Sequence, residues 1–292
     1  MSDARLPAQP LGIHSWARAT DADVEERHLA VFGRGFRRIG SYVKLAQVGA
    51  QACLAAAAPG VVAEHTRVGV FMGSGLGNTE IAVPLAEGIL HAEKPWCSPM
   101  AFAGSVGNAA AFYVARSIAH EGMNVTVSQE ELSFEAALLE AVIQLRLGCV
   151  DLALVGGVDV HEHARPAEHR ARLDAEGVPG TPAAGTGWLL IGPSHAGARA
   201  TLDEVHVGRM AGDTRAGLPP GAWVLPGWRL QDMHGPDVAP VETRLMAVAA
   251  ALRIVEVLDG VEPVPEGYSR VAHLQRTRAG TGARVVFTLR GA

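Results

Sequence analysis

The chain has 292 residues, 48% of them hydrophobic and 19% charged, with 34 glycines and a formal net charge of −5. That is the composition of a buried, glycine-rich globular protein, and it excludes a disordered chain. With no basic run it gives no support to nucleic-acid binding, and with no apolar run of membrane length it gives none to a membrane span.

Taken in chain order, 11–17 reads as a first strand, and 21–35, polar and running into the RGFRR stretch that starts at Arg34, as a surface loop. Residues 39–58 place Val43, Ala46, Ala50 and Leu54 on one face, the spacing of a helix, and Pro59-Gly60 stops it. A short buried strand follows at 67–72. The turn Gly73-Ser74-Gly75-Leu76-Gly77-Asn78 comes next, then a helix to about His91. The glycines invite a dinucleotide reading, but Asn78 stands where that fingerprint needs glycine or alanine. They are expected only to let the backbone turn sharply. Residues 94–104 read as a loop, and 105–120 as a helix that Ser105 caps.

The most informative stretch is 124–160. Asn124, Val125, Thr126, Val127 and Ser128 read as a short strand. Gln129-Glu130-Glu131 makes a tight turn. Phe134, Leu138, Val142 and Leu145 then recur at helical spacing, with Ser133 as N-cap and Gly148 as the stop. Leu152–Val155 is a continuous apolar run, as in a strand buried on both faces, and Gly156-Gly157 is expected to break it. Read alone, Gln129, Glu130 and Glu131 are simply polar residues opening a helix.

Beyond it, His161, Glu162, His163 and His169 fall together, but neighbours on a strand or loop point apart, so a solvated loop is expected there and no metal site. Residues 180–191 feed a core strand and 198–207 form the next. The Gly- and Pro-rich 208–240 reads as a linker or surface excursion. A helix over 240–258 and a closing strand over 284–289 complete the chain. Cys53, Cys97 and Cys149 have no metal spacing, and Cys53 and Cys149 read as buried thiols of a reducing compartment. A soluble cytoplasmic protein without cofactor is expected.

The order strand, tight turn, long helix, Gly148, Asp151, Val155-Gly156-Gly157 resembles the nucleophile region of beta-ketoacyl synthases, of the thiolase superfamily. In that family the strand ends in Thr-Ala-Cys, and the cysteine opens the helix. Counting back from Gly157 without a gap places Glu131 at the cysteine. Ser105-Val106-x-Asn108-Ala109 is similar to a Ser-Val-His-Asn-Ala run of a compact ketosynthase-like branch, with Gly107 replacing His. Asn108 would there pack beside the nucleophile, or else bond the loop above its helix. The family's two histidine motifs are degenerate: His234-Gly235-Pro236-Asp237 stands near the first without its threonines, and nothing matches the second. The resemblance is plain over about 65–205 and faint at 220–260.

The resemblance implies an α/β, thiolase-like layered fold, with mostly parallel sheets around buried central helices and a truncated second half. It implies one domain over 1–292, with pseudo-repeats at about 1–195 and 196–292. A thiolate at a helix N-terminus is stabilised by the dipole and accepts an acyl group from a thioester; a carboxylate there gives only a labile anhydride. The turn thus reads as a vestigial site. The implied function is a catalytically silent, chain-length-factor-like subunit. It would pair with an active synthase, and with acyl carrier protein, in polyketide, aryl polyene or fatty-acid-type biosynthesis. Two alternatives stand beside it. One is a decarboxylase or hydrolase of carrier-bound thioesters, with Glu131 or His234 as base. The other is a structural homodimer without an acyl ligand. In thiolase-fold dimers the strand before the nucleophile pairs across the two-fold, which places Asn124–Ser128 at an interface.

Overall fold

The computed structural model describes residues 10–34, 39–91, 93, 96–118, 122–160, 166–175, 177, 180–182, 184–194, 197–210, 215 and 217–290. The elements run β1 (Leu11–Ala19), α1 (Val24–Phe32), α2 (Ser41–Ala55), β2 (Val68–Gly73), α3 (Thr79–His91), α4 (Pro99–Ser105), α5 (Ala109–Ile118) and β3 (Asn124–Val127). They continue α6 (Ser133–Arg146), β4 (Leu152–Asp159), α7 (Pro166–Ala175), β5 (Thr181–Pro182), β6 (Gly185–Pro193), β7 (Ala200–Arg209) and β8 (Ala222–Pro226). β9 (Arg244–Leu245), α8 (Val248–Leu258), β10 (Arg270–Arg276) and β11 (Thr281–Leu289) close the chain.

Nine strands of the described residues form one sheet in the order β3-β2-β4-β6-β1-β7-β11-β10-β8, and β5 pairs with β9 apart from it. The layered α/β architecture is the expected one, but the sheet is mixed rather than mostly parallel. β2 pairs parallel with β3 and β4, and β10 with β8, while the other five pairings are antiparallel. The physical reason is that β11 folds back along β10 in a tight hairpin, and β6, after α7 and β5, returns antiparallel beside β4 instead of crossing over to lie parallel.

Helices lie in two layers. α2 and α5 cover one face of the first half of the sheet. α6 and α8 pack on the other face and also meet β7, β11 and β10, so they sit between the two halves. Alternation along the strands sorts side chains between these layers. Phe71, Val155 and Leu189 face Phe134 and Leu138 of α6, while Val70, Leu154 and Leu190 face Tyr42 and Leu45 of α2. Each fully buried Leu or Phe contributes roughly 1.5–3 kcal/mol.

Several expected elements are redrawn. The strand at 152 runs through Gly156-Gly157 to Asp159 instead of breaking. A Cβ at Gly156 would lie 2.3 Å from the Trp188 ring and one at Gly157 2.7 Å from Ala251, so these glycines make room for neighbours. Much of the expected loop at 21–35 is helix α1, a polar helix riding on α2, with His28 Nε2 2.9 Å from Gln47 Oε1. Within 94–104 the chain forms α4, with Pro99 at its first turn and the Ser98 hydroxyl capping it. Ser105 ends α4 rather than capping α5, and its hydroxyl donates to Phe102 O. The expected linker 208–240 holds β8, the end strand of the sheet beside β10, with Val224 and Leu225 buried. Arg253 of α8 donates to the carbonyls of Pro226 and Pro240, tying that segment down. The helix expected over 240–258 begins only at Val248.

Candidate active site

Three turns converge on the N-terminus of α6. The first follows β2. A Cβ at Gly73 would lie 2.3 Å from Ser133 O, so β2 ends in close contact with the start of the helix. The second is the turn between β3 and α6. Glu130 sits in the left-handed region at φ 49, and 130–132 form a 3-10 turn. Ser133 is the first residue of α6 rather than its N-cap. Its buried hydroxyl accepts from Gln129 N–H at 2.8 Å and donates to Glu130 O at 2.7 Å, which fixes the turn. The third turn enters α8, where Met246 also adopts a positive φ of 81 and approaches Gly75.

Asp159 joins the first turn to the third. Its Oδ1 accepts from Ser74 Oγ at 2.9 Å, Gly75 N at 3.0 Å and Leu76 N at 3.1 Å. Its Oδ2 accepts from Val248 N at 3.1 Å, serving the first turn of α8 in place of a local cap. The amides that could have cradled a phosphate are thus taken by a carboxylate, in keeping with a purely structural glycine turn. Burial pushes the Asp159 carboxyl up, and the four donated bonds pull it back only part of the way, to about 6.

Glu131 points away from this hub to Arg229, which follows β8. Arg229 Nε and Nη2 both donate to Glu131 Oε1, at 2.9 and 2.6 Å. The pair is mostly shielded, with side chains 18% and 12% exposed, and the guanidinium stacks 4.0 Å above the Trp228 ring. One turn further along α6, Glu135 Oε1 lies 3.0 Å from His273 Nε2, and both residues are fully buried. Gln129 and Glu130 line a groove of about 350 Å³ against Thr277, Arg278, Ala279 and Thr281 of the β10–β11 hairpin.

The sequence model of the family described as "Beta-ketoacyl synthase, N-terminal domain" matches residues 16–176, just over half of the chain. The chain belongs to the beta-ketoacyl synthase family. Solved structures agree on its fold. A protein titled "The ishigamide ketosynthase/chain length factor" superposes with a TM-score of 0.76 at 18% identity, covering 97% of this chain and 100% of that one. A chain of a type II PKS acyl-carrier protein in complex with its ketosynthase bound to the hexaketide gives 0.71 at 11% identity, covering 96% and 99%. A beta-ketoacyl synthase from Burkholderia phymatum STM815 gives 0.70 at 13% identity, also covering 96% and 99%. No curated protein sequence matches the chain.

Within this ketosynthase-like fold the sequence-predicted residues part company. Gln129, Glu130 and Glu131 stand together at the α6 entrance. His234 does not join them: it is exposed, its carbonyl accepts from Arg215 at 2.5 Å, and its ring makes no hydrogen bond to Glu131. Asn108 is exposed at the entry to α5. Asn124, Val125, Thr126 and Val127 form the end strand of the sheet, with Ser128 following. Val70 N–H takes Met123 O and Ser74 N–H takes Val127 O, so the odd-numbered residues face β2. The amides of Asn124 and Thr126 therefore point to the open edge.

Among the described residues no cluster of three or more His, Cys, Asp or Glu side chains is placed to hold a metal ion. His161, Glu162, His163 and the His169 side chain lie outside the described residues. No described helix is long and apolar enough to cross a membrane. Of the cysteines, Cys53 is buried as expected, and burial pushes its thiol up to about 12, but Cys149 is exposed at the surface turn after α6.

Sequence reasoning missed Arg229 and Asp159. Arg229 lies 98 residues from its partner, with no local signal. Asp159 had one: a lone carboxylate ending an otherwise apolar strand.

Proposed function

We propose that this chain is a catalytically silent ketosynthase-like subunit. It acts like a chain length factor beside an active, cysteine-bearing beta-ketoacyl synthase, in polyketide, aryl polyene or fatty-acid-type biosynthesis. The observation that carries the reading is Glu131, at the residue where the family carries its cysteine, held by Arg229. The carboxylate oxygen that faces the guanidinium is already engaged, and no thiol stands at the helix entrance. Decarboxylation or hydrolysis by a Glu131 or His234 base is the weaker reading, because Arg229 occupies the one and the other is exposed elsewhere.

Pairing is supported by the surface. β3 leaves one edge unpaired, and an edge without Pro or charge invites another strand. On α3, α4, α5 and the connection between α3 and α4, Leu90, Trp96, Met100, Phe102 and Phe112 are exposed, and α3 and α4 bury no residue fully. Such a cluster marks an interaction surface. The fold likeness to the structure titled as a ketosynthase/chain length factor supports the same reading. An acyl carrier protein would then dock on the pair, in the cytoplasm.

Co-expression with a cysteine-bearing synthase encoded nearby tests it. The expected result is a one-to-one complex that survives gel filtration. A chain that stays monomeric, or that assembles only with itself, would contradict the pairing.

A further inference from the structure

Helix α5 is the outermost helix on its side of the sheet: α2 lies over β1, β4 and β6, while α5 packs on β2 and on the end strand β3. Its buried side chains Ala110, Ala111 and Val114 face the core that α2 also lines. On the opposite face Phe112 and, one turn further on, Arg116 are exposed. Among the described residues no acid pairs with Arg116. It is also the only charged side chain of α4, α5 and β3. A strand added to the β3 edge continues the sheet. When that strand is antiparallel and comes from a related subunit, the two-fold axis stands normal to the sheet and each helix layer stays on its own side. The helix over the incoming strand then lies alongside α5, at the roughly 8–10 Å spacing of packed helices.

Resting on the pairing reading above, we propose that Arg116 selects the partner: the subunit that covers β3 and α5 is not a second copy but a related chain that presents an Asp or Glu to Arg116. The contact covers Arg116 together with the exposed Phe102 and Phe112, and a guanidinium taken out of water without a carboxylate is costly. A second copy brings another Arg116, and its α4, α5 and β3 hold no acid to answer it. The same cation therefore penalises self-pairing and rewards an acidic partner, which is how charged groups ordinarily set partner choice. The nearest acid along the chain, Glu121 in the α5–β3 connection, lies outside the described residues and enters the test as a control.

Sedimentation equilibrium on the full chain, alone and mixed with the cysteine-bearing synthase encoded nearby, tests it. Wild type should pair with the synthase and not with itself. Arg116→Leu should weaken the mixed pair by about thirtyfold or more, the worth of a buried charge pair broken on one side, and should strengthen self-association. Arg116→Lys keeps the charge and should lose less. Because the side chain is exposed and unpaired in the single chain, each variant should keep the wild-type thermal transition. A mixed pair unmoved by Arg116→Leu, or self-association no stronger in that variant than in wild type, would overturn the selection and leave the pairing in place. A wild-type homodimer that Glu121→Gln weakens would show a second copy supplying the counter-charge, and would overturn it too. Failure of wild type to bind the synthase at all would overturn the pairing reading and this inference with it.

Discussion

The Asp159 hub makes a prediction with a sign and a size. The carboxyl lies at about 6 in the fold against 3.8 unperturbed, a difference worth ~3 kcal/mol. The folded value is raised, so the unfolded chain releases its proton first. The group's contribution to stability is therefore fully present below pH 3.8 and lost as pH rises to about 6, after which it is flat. Asp159→Asn removes this dependence. It also sets an amide N–H against the Val248 N–H, a mismatch that costs about 1–3 kcal/mol. The assay is urea unfolding of both proteins at steps from pH 4 to 7.5. Taking the difference between the two proteins cancels the other titrating groups, such as Asp151, which Arg67 holds below its ordinary value. Wild type should exceed the variant most at pH 4, and its advantage should shrink by up to ~3 kcal/mol by pH 7. A difference that does not change with pH would refute the buried, four-fold bonded carboxylate.

Arg229→Met leaves the shielded Glu131 carboxylate unpaired and should cost about 1–3 kcal/mol in denaturant unfolding, with Glu131→Leu in the same chain recovering most of it; strictly additive effects would show that the pair is not coupled. Thr126→Pro removes an outward-facing donor of the β3 edge and spares the β2 ladder, so sedimentation should show lost assembly with the thermal transition of the monomer retained; unchanged assembly would place the interface elsewhere. Substituting Cys53, Cys97 and Cys149 singly by Ala or Ser should leave partner-supported activity within a small factor, and a large loss at Cys97 would reopen a nucleophile role.

What the sequence revealed depended on where burial was two-sided. β2 and the start of β4 are short apolar runs because layers cover both faces, and β3, α6 and β11 also fell close to their expected bounds. α1 escaped because it rests lightly on α2 and buries only Val24 and His28. β8 was hidden by the prolines and glycines around it, although a parallel partner, β10, holds it in the sheet. Gly156-Gly157 looked like a break because the Trp188 ring that fills their space comes from a strand further along the chain. At the site, Glu131 was singled out by counting from Gly157 against the family's pattern. Its partner could not be read, because the Glu131–Arg229 pair and the Asp159–Val248 bond are made only when distant turns meet.

The most direct test of the silent-subunit account is the intact mass of the purified chain after incubation with acyl and malonyl carrier thioesters, followed by product analysis with and without a cysteine-bearing synthase. The account predicts an unmodified mass and no condensation product from the chain alone, with product formed once the partner is added. A covalent acyl adduct on the isolated chain, or product formed by it alone, would contradict the account.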